Sequence, residues 1–454
     1  MTYESALSSR YGSKTMRERF SNQQKYSLWR ECWIALAQAQ HEAGLDVTQE
    51  QIDEMKSSQD VFDWDQLERL EATLKHDVMA HIHHYAQLCP LAAPIIHLGA
   101  TSAFVSDNAE MIQYHHALNE LEDDLMLIRH QLMRFIMATA HVPTVGYTHY
   151  QVAQPTTIGK RFAMYLQDID LALEELKFTQ STLRTLGVKG TTGTQASFLS
   201  LVNNNEALAQ DIEDKVMKTL GLKPLTITGQ TYTRLMDVKI CNTLEMIGAA
   251  AGKFAQDMRL MMHDGIVLEP FGQNQVGSSA MPYKRNPILS EKISGLSRKL
   301  ILDCTNASMT ASTQWFERSL DDSSNRRLLM PEVFILTSEI TQSMIKITQG
   351  CVLQVQVNDA LFKEHHVMLS IENILMALVQ MGGDRQIWHE TLRTLSLYHR
   401  QHNTMDEFVE TLQAQVGYNL SVHQLNDAMD PKKLVGLAPQ QALNYVKESQ
   451  ERYD

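Results

Sequence analysis

The chain has 454 residues, more than a single hydrophobic core usually serves, so two or three domains are expected. Its formal net charge of -13 argues against general binding to nucleic acids and to anionic membranes, because both need a basic surface. Apolar residues make up 44% of the chain, and 24 methionines stand against only 11 prolines. This composition predicts an all-α fold with long helices rather than sheets.

The cysteines indicate a reducing compartment. There are five of them, an odd number, widely spaced and without a C-x-x-C pair. The first ten residues contain no apolar signal region, and no uninterrupted apolar run is long enough to span a bilayer. We therefore expect a soluble cytoplasmic protein with no membrane partner.

A histidine-rich run begins directly after Lys75. His76 adjoins the carboxylate of Asp77 and is a candidate for an oriented imidazole. His81 and His84 could share a helix face, but neither a thiolate nor a His-plus-carboxylate signature completes a metal site. We interpret the later histidines as part of a polar helix face, and we predict no metal and no other cofactor.

Two polar turns carry side chains suited to binding or proton transfer. Thr101 and Ser102 offer hydroxyls and backbone donors, and the alternative is that they cap a helix that follows Asp107. Thr148 and His149 stand within a dense polar stretch, where a purely structural histidine is less attractive. His149 could act as a general acid at neutral pH.

Three apolar seams predict long helices in the middle of the chain. Their period near 3.5 is typical of helices that pack nearly parallel in a bundle. The members are Leu121, Leu125, Ile128, Leu132 and Phe135, then Leu166, Ile169, Leu173, Leu176 and Leu183, then Ile340, Met344 and Ile347. We interpret the seams as core or subunit interface, and we predict an N-terminal helical domain at 1–105, a central bundle at 106–352 and a C-terminal helical domain at 353–454.

The segment from Gly277 to Pro287 has the composition of a cationic catalytic loop. It contains two serines followed by Lys284, Arg285 and Asn286, and its glycine and prolines prevent one regular helix. Cations in this arrangement suit a dicarboxylate, and they would help a nearby serine to lose its proton. On composition alone, a solvated surface loop is an equally good interpretation.

The segment from Arg318 to Arg327 suits a phosphate monoester. If a helix begins near Asp322, Ser323 and Arg327 lie one turn apart on the same face, and Arg318 approaches from the preceding loop. Two guanidinium groups and a hydroxyl at a helix N-terminus favour such a ligand. The alternative is a salt-bridged helix start, in which Asp321 and Asp322 neutralise the arginines.

Taken together, these motifs resemble the fumarase/aspartase superfamily of lyases, and within it the members that act on succinylated purine nucleotides. The resemblance rests on the Gly277–Pro287 loop, on Lys189–Phe198 and on Trp315–Arg327, and it runs from Ser9 to Gly383. It implies three helical domains, a central five-helix bundle and a homotetramer with a core of about twenty helices. It also implies that fumarate is eliminated from adenylosuccinate and from the succinylated aminoimidazole carboxamide ribotide (SAICAR).

The resemblance also implies a role for each matching residue. Ser278 would be the base on a mobile loop and His149 the general acid, while His76 would support the acid or bind substrate. Lys284 and Asn286 would hold the succinyl carboxylates together with Thr101 and Ser102. The remaining implied substrate contacts are Arg10, Tyr11, Arg318, Ser323 and Arg327 for the phosphate, Gln230 for the succinyl or base region, and Asp77 and Thr148. Each site would be shared between three subunits of the homotetramer.

Two residues depart from the pattern of this superfamily branch. Val152 stands where close relatives commonly carry Pro, and Lys292 stands where some carry Arg. The lysine keeps the positive charge but loses the bidentate fork of an arginine.

Other interpretations also remain open. A sister lyase acting on argininosuccinate, malate or aspartate would not need the Arg318–Arg327 cluster, and a non-catalytic helical scaffold would not need Ser278 and His149.

Overall fold

The computed structural model describes residues 4–415 and 417–453, and these fall into two compact units. Unit 1 comprises the described residues up to Leu125, together with Ala172–Ala249 and Gly295–Gln342. Unit 2 comprises Met126–Leu171, Ala250–Ser294 and the described residues from Ser343 onward. The three-domain partition at 105 and 352 stays a prediction.

Helices dominate the described residues, and the predicted all-α class is confirmed. In chain order the helices are α1 (Ala6–Ser9), α2 (Lys14–Arg19), α3 (Asn22–Glu42), α4 (Gln49–Ser57), α5 (Trp64–Leu74), α6 (Asp77–Leu88), α7 (Ser102–Thr139), α8 (Ile158–Thr182), α9 (Ala196–Leu201), α10 (Glu206–Leu220), α11 (Leu235–His263), α12 (Ile288–Ser312), α13 (Asp321–Gly350), α14 (Val355–Gln380), α15 (Arg385–His402), α16 (Phe408–Gln413), α17 (Val422–Ala428), α18 (Pro431–Leu434) and α19 (Ala438–Tyr453). A 3-10 turn spans Met405–Glu407. The strands are β1 (Pro143–Thr148), β2 (Gln151–Thr157), β3 (Val267–Leu268) and β4 (Val352–Leu353), which form two antiparallel pairs. Among the described residues, no helix has an apolar stretch long enough to cross a membrane.

The predicted seams lie on the long helices α7, α8 and α13, except that Leu183 directly follows the end of α8. Leu121, Leu125 and Ile128 are fully buried on α7, as are Ile340 and Ile347 on α13. Their burial confirms that the period-3.5 pattern marks core positions. The helix expected after Asp107 begins earlier, at Ser102, so the pair of hydroxyls stands at its first turn.

Within unit 1, side-chain contacts link five helices in a closed cycle: α7, α8, α11, α12 and α13. The contacts are Thr341 Oγ1 to Asp124 Oδ2 (2.6 Å, α13 to α7), Gln180 Nε2 to Asn119 Oδ1 (2.8 Å, α8 to α7), Thr179 Oγ1 with Thr243 Oγ1 (2.9 Å, α8 with α11) and Asn325 Nδ2 to Asn306 Oδ1 (3.0 Å, α13 to α12). Helices α11 and α12 approach so closely that a Cβ added at Gly248 would lie 2.9 Å from Leu300 Cδ2. The predicted bundle is therefore present in this unit.

The shorter helices of unit 1 build a second core around the indoles of Trp29 and Trp33, which are 1% exposed. His81 and His84 belong to this interior, so their interpretation as a polar face was wrong. His81 stacks on Tyr26 with the ring centroids 3.7 Å apart, and burial lowers the pKa of this imidazole to about 3. The sequence offered no cue, because the contacts of both histidines are with residues distant in the chain: His84 bonds with Arg30 and Asp63, and His81 stacks on Tyr26.

The C-terminal helices of unit 2 have their own apolar core, which includes Trp388, Phe408 and Leu412. The β1–β2 hairpin packs on α14 in the same unit, where Asn358 Nδ2 donates to the Pro143 carbonyl at 2.8 Å. Val152 lies on β2 and contacts a small cluster that includes Phe362, so its branched side chain contributes to packing.

The carboxyl group of Asp124 makes the stability of the protein depend on pH. Burial raises its pKa to about 6, even though Thr341 and Gln342 donate to it. A raised folded-state pKa stabilises the fold below the unfolded-state value, and this stabilisation is lost as the pH rises through about 6. We expect the stability of the wild type relative to Asp124→Asn to fall by about 1 kcal/mol between pH 5 and pH 8.

Urea unfolding at a series of pH values measures this difference. Asp123→Asn, which changes the exposed neighbouring carboxylate, is the matched control and should give no such slope. Parallel pH profiles for wild type and Asp124→Asn would contradict the prediction.

Candidate active site

A cleft of about 890 Å³ in unit 1 brings together side chains from five separate segments of the chain. Part of its lining comes from α3, from the α5–α6 junction and from the first turns of α7 and α13. The predicted site residues among its lining are His76, Asp77, Ser102, Gln230, Arg318, Ser323 and Arg327. The tertiary fold thus brings more than half of the site residues that were predicted in unit 1 together around one cleft.

His76 is placed at this cleft by the N-terminus of α6. Its Nδ1 accepts a hydrogen bond from Met79 N at 3.3 Å, so the imidazole occupies the N-cap position that Ser, Thr or Asp usually takes. An accepting Nδ1 leaves the proton of the neutral ring on Nε2. The preceding residue, Lys75, has a left-handed backbone with φ of 54°, which turns the chain between α5 and α6.

The N-terminus of α13 provides the cationic part of the cleft. The helix begins at Asp321, as the spacing predicts, so Ser323 and Arg327 lie one turn apart. Arg318 Nε is buried and has no hydrogen-bond partner in the part of the chain that the structure describes. A buried donor without a partner is costly, and an anionic ligand would satisfy it.

The alternative of a self-neutralised helix start is not what the structure shows. Asp322 accepts from Arg234 Nε at 2.6 Å, and Arg327 Nη2 lies 3.3 Å from Asp77 Oδ2. The carboxylate of Asp77 therefore faces Arg327, a residue predicted to bind the phosphate, rather than solvent alone.

Beneath the cleft lies a network of buried charges, which we call the floor network: Asp107, Arg234, Asp237, Asp322 and Arg326. Each of these side chains is at most 6% exposed. Arg234 joins Asp107 on α7 to Asp322 on α13, and Arg326 Nε donates to Asp237 Oδ2 on α11 at 2.6 Å. Burial raises the pKa of Asp107, although Arg234 and Arg326 oppose that effect. The floor network fixes the helix ends that carry Ser102, Ser323 and Arg327.

Three predicted residues of unit 1 do not line the cleft. Arg10 is exposed at the end of α1, and Tyr11 is half-buried with its carbonyl accepting from Arg17 Nη1 at 2.9 Å. Thr101 directly precedes α7, and its carbonyl accepts from Phe104 N at 2.9 Å. The described cleft therefore contains only part of the predicted phosphate set.

In unit 2, Thr148 and His149 lie at the tip of the β1–β2 hairpin. Thr148 pairs with Gln151, which leaves His149 and Tyr150 as a two-residue turn with φ of 50° and 58°. Such a turn matches the strand twist but normally favours Asn or Gly, because both residues need positive φ. Non-glycine residues held in this way cluster at functional sites, and the His149 side chain is exposed.

The Gly277–Pro287 loop, also in unit 2, is closed at its base by backbone contacts. A Cβ added at Gly277 would lie 1.9 Å from the Lys284 carbonyl oxygen, so only glycine fits. Asn286 Nδ2 donates to the Gly277 carbonyl at 2.8 Å. Ser278 Oγ accepts from Ala280 N and Met281 N at 3.3 and 3.1 Å. These two donors are of the kind that stabilises negative charge on an oxygen.

Several lining residues were missed by the sequence reasoning, chief among them Lys25, Glu110 and the members of the floor network that reach the cleft. Lys25 stands in an ordinary amphipathic helix with no motif around it. Asp107 and Arg234 are 127 positions apart, and spacing rules act only within one element. Only the tertiary fold could have identified them.

Comparison with known proteins places this geometry in context. A family model described as Lyase matches residues 2–302. This match makes the chain a member of a lyase family. Among curated proteins, the chain is 38% identical to adenylosuccinate lyase of Saccharomyces cerevisiae over 98% of this chain and 94% of that protein. It is 32% identical to adenylosuccinate lyase of Pyrococcus abyssi over 98% of both chains. The chain belongs to the adenylosuccinate lyase family.

Solved structures show how widely the fold is shared. A fumarate lyase from Mesorhizobium has a TM-score of 0.85 at 22% identity, covering 98% of this chain and all of that one. A 3-carboxy-cis,cis-muconate lactonizing enzyme from Pseudomonas putida has a TM-score of 0.86 at 23% identity, covering 98% and 99%. At this level of identity, the likeness concerns the fold alone.

The floor network generates a test of stability. Arg234→Met removes one guanidinium and leaves Asp107 and Asp322 buried without their partner, so we expect a loss of about 3–5 kcal/mol. Arg393→Met, which breaks the exposed pair with Glu390, is the control and should lower the stability far less, because solvent screens this pair. Denaturant unfolding compares the two variants, and equal losses would show that the network is energetically unimportant.

Proposed function

We propose that the protein eliminates fumarate from adenylosuccinate, giving AMP, and from SAICAR, giving the aminoimidazole carboxamide ribotide. The observation that carries this proposal is the cleft of unit 1. There Arg318 offers a buried donor without a partner beside Ser323 and Arg327 at a helix N-terminus. Membership in the adenylosuccinate lyase family supports the same substrates.

The 5′-phosphate is the part of the substrate that this cleft suits best. In a chain with a net charge of -13, cations without a carboxylate partner must be concentrated where an anion binds. Backbone donors of the first turn of α13 and the Ser323 hydroxyl can meet phosphate oxygens, and guanidinium forks match them in pairs. Gln230, at the same cleft, would contact the succinyl or base region. We also assign Arg10 and Tyr11 to the phosphate by their match to the family pattern.

The reaction requires one base and one acid. Ser278, as its alkoxide, removes the proton from the succinyl carbon beside a carboxylate, and an aci-carboxylate forms. The carbon–nitrogen bond then breaks, and His149 donates a proton to the departing nitrogen. Fumarate and the amine leave, so the enzyme has gained one proton at Ser278 and lost one at His149, and no net proton is consumed.

Charge on the aci-carboxylate has to be stabilised, because a C–H group beside a carboxylate is a very weak acid. We assign this role to Lys284, Asn286, Thr101 and Ser102. The exposed Lys284 ammonium carries the opposite charge, and the second amide hydrogen of Asn286 remains available when the first closes the loop. His76, with its proton on Nε2, would support the acid or bind the substrate.

Homotetramer formation, with sites shared between subunits, is part of this proposal. Met164, Leu171 and Phe178 repeat every seven residues along α8 and are 46%, 48% and 56% exposed. Leu302 and Met309 show the same spacing on α12, at 74% and 65% exposure. Exposed apolar stripes at heptad spacing are suited to packing against helices of other copies. All five cysteines are free thiols, which suits the cytoplasmic location that we propose.

The proposal is tested by incubating the purified protein with adenylosuccinate and following absorbance, with fumarate and AMP identified as the products. SAICAR, argininosuccinate, malate and aspartate are assayed in parallel. Turnover of adenylosuccinate and SAICAR alone supports the proposal. Turnover of another member of this set in their place, or of none, overturns it.

The acid and base assignments predict two inactive variants. Ser278→Ala and His149→Gln should each lower kcat by about 100-fold or more while binding of AMP changes little, because each removes one proton transfer. Ser279→Ala and His141→Gln, at exposed positions, are the matched controls and should keep near-normal kcat. Mixing the two inactive variants under subunit exchange should restore part of the activity. Retention of most activity by Ser278→Ala would rule out the base.

The phosphate assignment predicts a binding defect. Arg327→Ala should raise the KM for adenylosuccinate by about 10-fold or more with a smaller effect on kcat, since a charged contact to a distant part of the substrate is lost. Steady-state kinetics measure both constants. Arg400→Ala, at an exposed position on α15, is the control, and an unchanged KM for Arg327→Ala would refute the phosphate role.

A further inference from the structure

Lys25 is a cation at the cleft that forms no ion pair with a carboxylate among the described residues. It stands in the first turn of α3, which begins at Asn22, and its side chain lines the cleft with Arg318, Ser323 and Arg327. Within the described residues, its ammonium lies beside two aromatic rings. Nζ lies 5.4 Å from the centroid of Tyr26 and 5.3 Å from that of Trp29.

Three other cations of the cleft, unlike Lys25, have a carboxylate partner. Arg234 and Arg326 are held by the floor network, and Arg327 has Asp77 at 3.3 Å. Lys25 forms no such ion pair in the part of the chain that the structure describes. Half-burying an ammonium without a counter-ion is unfavourable unless a ligand supplies the opposite charge.

The surroundings of Lys25 identify the part of the ligand that it would meet. Burial lowers the pKa of this ammonium, Glu110 and Asp77 raise it, and Arg327 lowers it further. Lys25 therefore stands within electrostatic range of Arg327, the residue assigned to the phosphate. A compact ammonium with three rotatable donors complements the planar guanidinium groups around a phosphate, which presents oxygens in several directions.

We propose that Lys25 binds the phosphate group of the nucleotide, as a ligand additional to Arg318, Ser323 and Arg327. This assignment rests on the proposed function, since it takes the nucleotide to be the occupant of the cleft. The ammonium of Lys25 already lies near the rings of Tyr26 and Trp29, and these contacts help to position it before the ligand arrives.

The test compares Lys25→Met, which keeps the stem but removes the charge, with Lys25→Arg, which keeps the charge. Binding of AMP and of adenosine is measured by calorimetry, and kcat and KM are measured with adenylosuccinate. We expect Lys25→Met to weaken AMP binding and to raise KM by about 10-fold or more, with adenosine binding and kcat nearly unchanged. Lys25→Arg should recover most of the loss. Lys56→Met, at an exposed position on α4, is the control.

Proton linkage gives a second measurement that a merely structural role would not change. A lysine with a lowered pKa takes up protons on binding an anion wherever it is partly neutral, so binding is measured over a series of alkaline pH values at which the phosphate of AMP is fully ionised. The wild type should therefore take up a fraction of a proton on binding AMP, measured in two buffers of different ionisation enthalpy. Lys25→Met should not.

The outcomes separate the two proposals. Absence of adenylosuccinate turnover in the wild type overturns the proposed function whatever Lys25 does. If the wild type turns over, unchanged AMP affinity and KM in Lys25→Met overturn only the role of Lys25. Equal weakening of AMP and adenosine would show a structural role, and weakened binding of fumarate with normal AMP affinity would assign Lys25 to a carboxylate; both outcomes contradict the phosphate role.

Discussion

The floor network of buried ion pairs is the constraint on which the cleft depends. Arg234, which directly precedes α11, joins Asp107 on α7 to Asp322 on α13, and removing it leaves both buried carboxylates without this partner. Since helices are rigid over one or two turns, fixing their ends also fixes the side chains one turn away. Ser102 and Arg327 are placed in this way, before any ligand is present.

Basic residues in unit 1 consequently divide into two groups. Arg234 and Arg326 are neutralised inside the protein and stabilise the fold, whereas Lys25 and Arg318 have no carboxylate partner among the described residues and remain available for an anion. Sequence alone cannot separate these groups, because Arg326 and Arg327 are adjacent in the chain. Arg326 pairs with the buried Asp237, whereas Arg327 is directed into the cleft. The two differ because adjacent residues point in different directions around a helix.

The residues assigned to proton transfer stand on less regular elements of unit 2. His149 occupies a hairpin turn with positive φ, and Ser278 lies on a loop that is closed by Gly277 and Asn286. In both places the backbone accepts a conformation that few residues tolerate, and this is where functional groups are often found. In each case the unusual backbone conformation fixes the direction of one side chain, His149 or Ser278, while the neighbouring helices provide rigidity.

Helix content, the buried seams and the chemistry of the short motifs could all be predicted from the sequence. Each depends on residues within one element, where the period of 3.6 or a fixed spacing relates position to direction. The resemblance carried by the Gly277–Pro287 loop was confirmed by the family to which the chain belongs. The tertiary structure alone decided the burial of His81 and His84, the partners of Asp322 and the presence of Lys25 at the cleft. These depend on contacts between residues far apart in the chain, and such contacts exist only once the helices have packed.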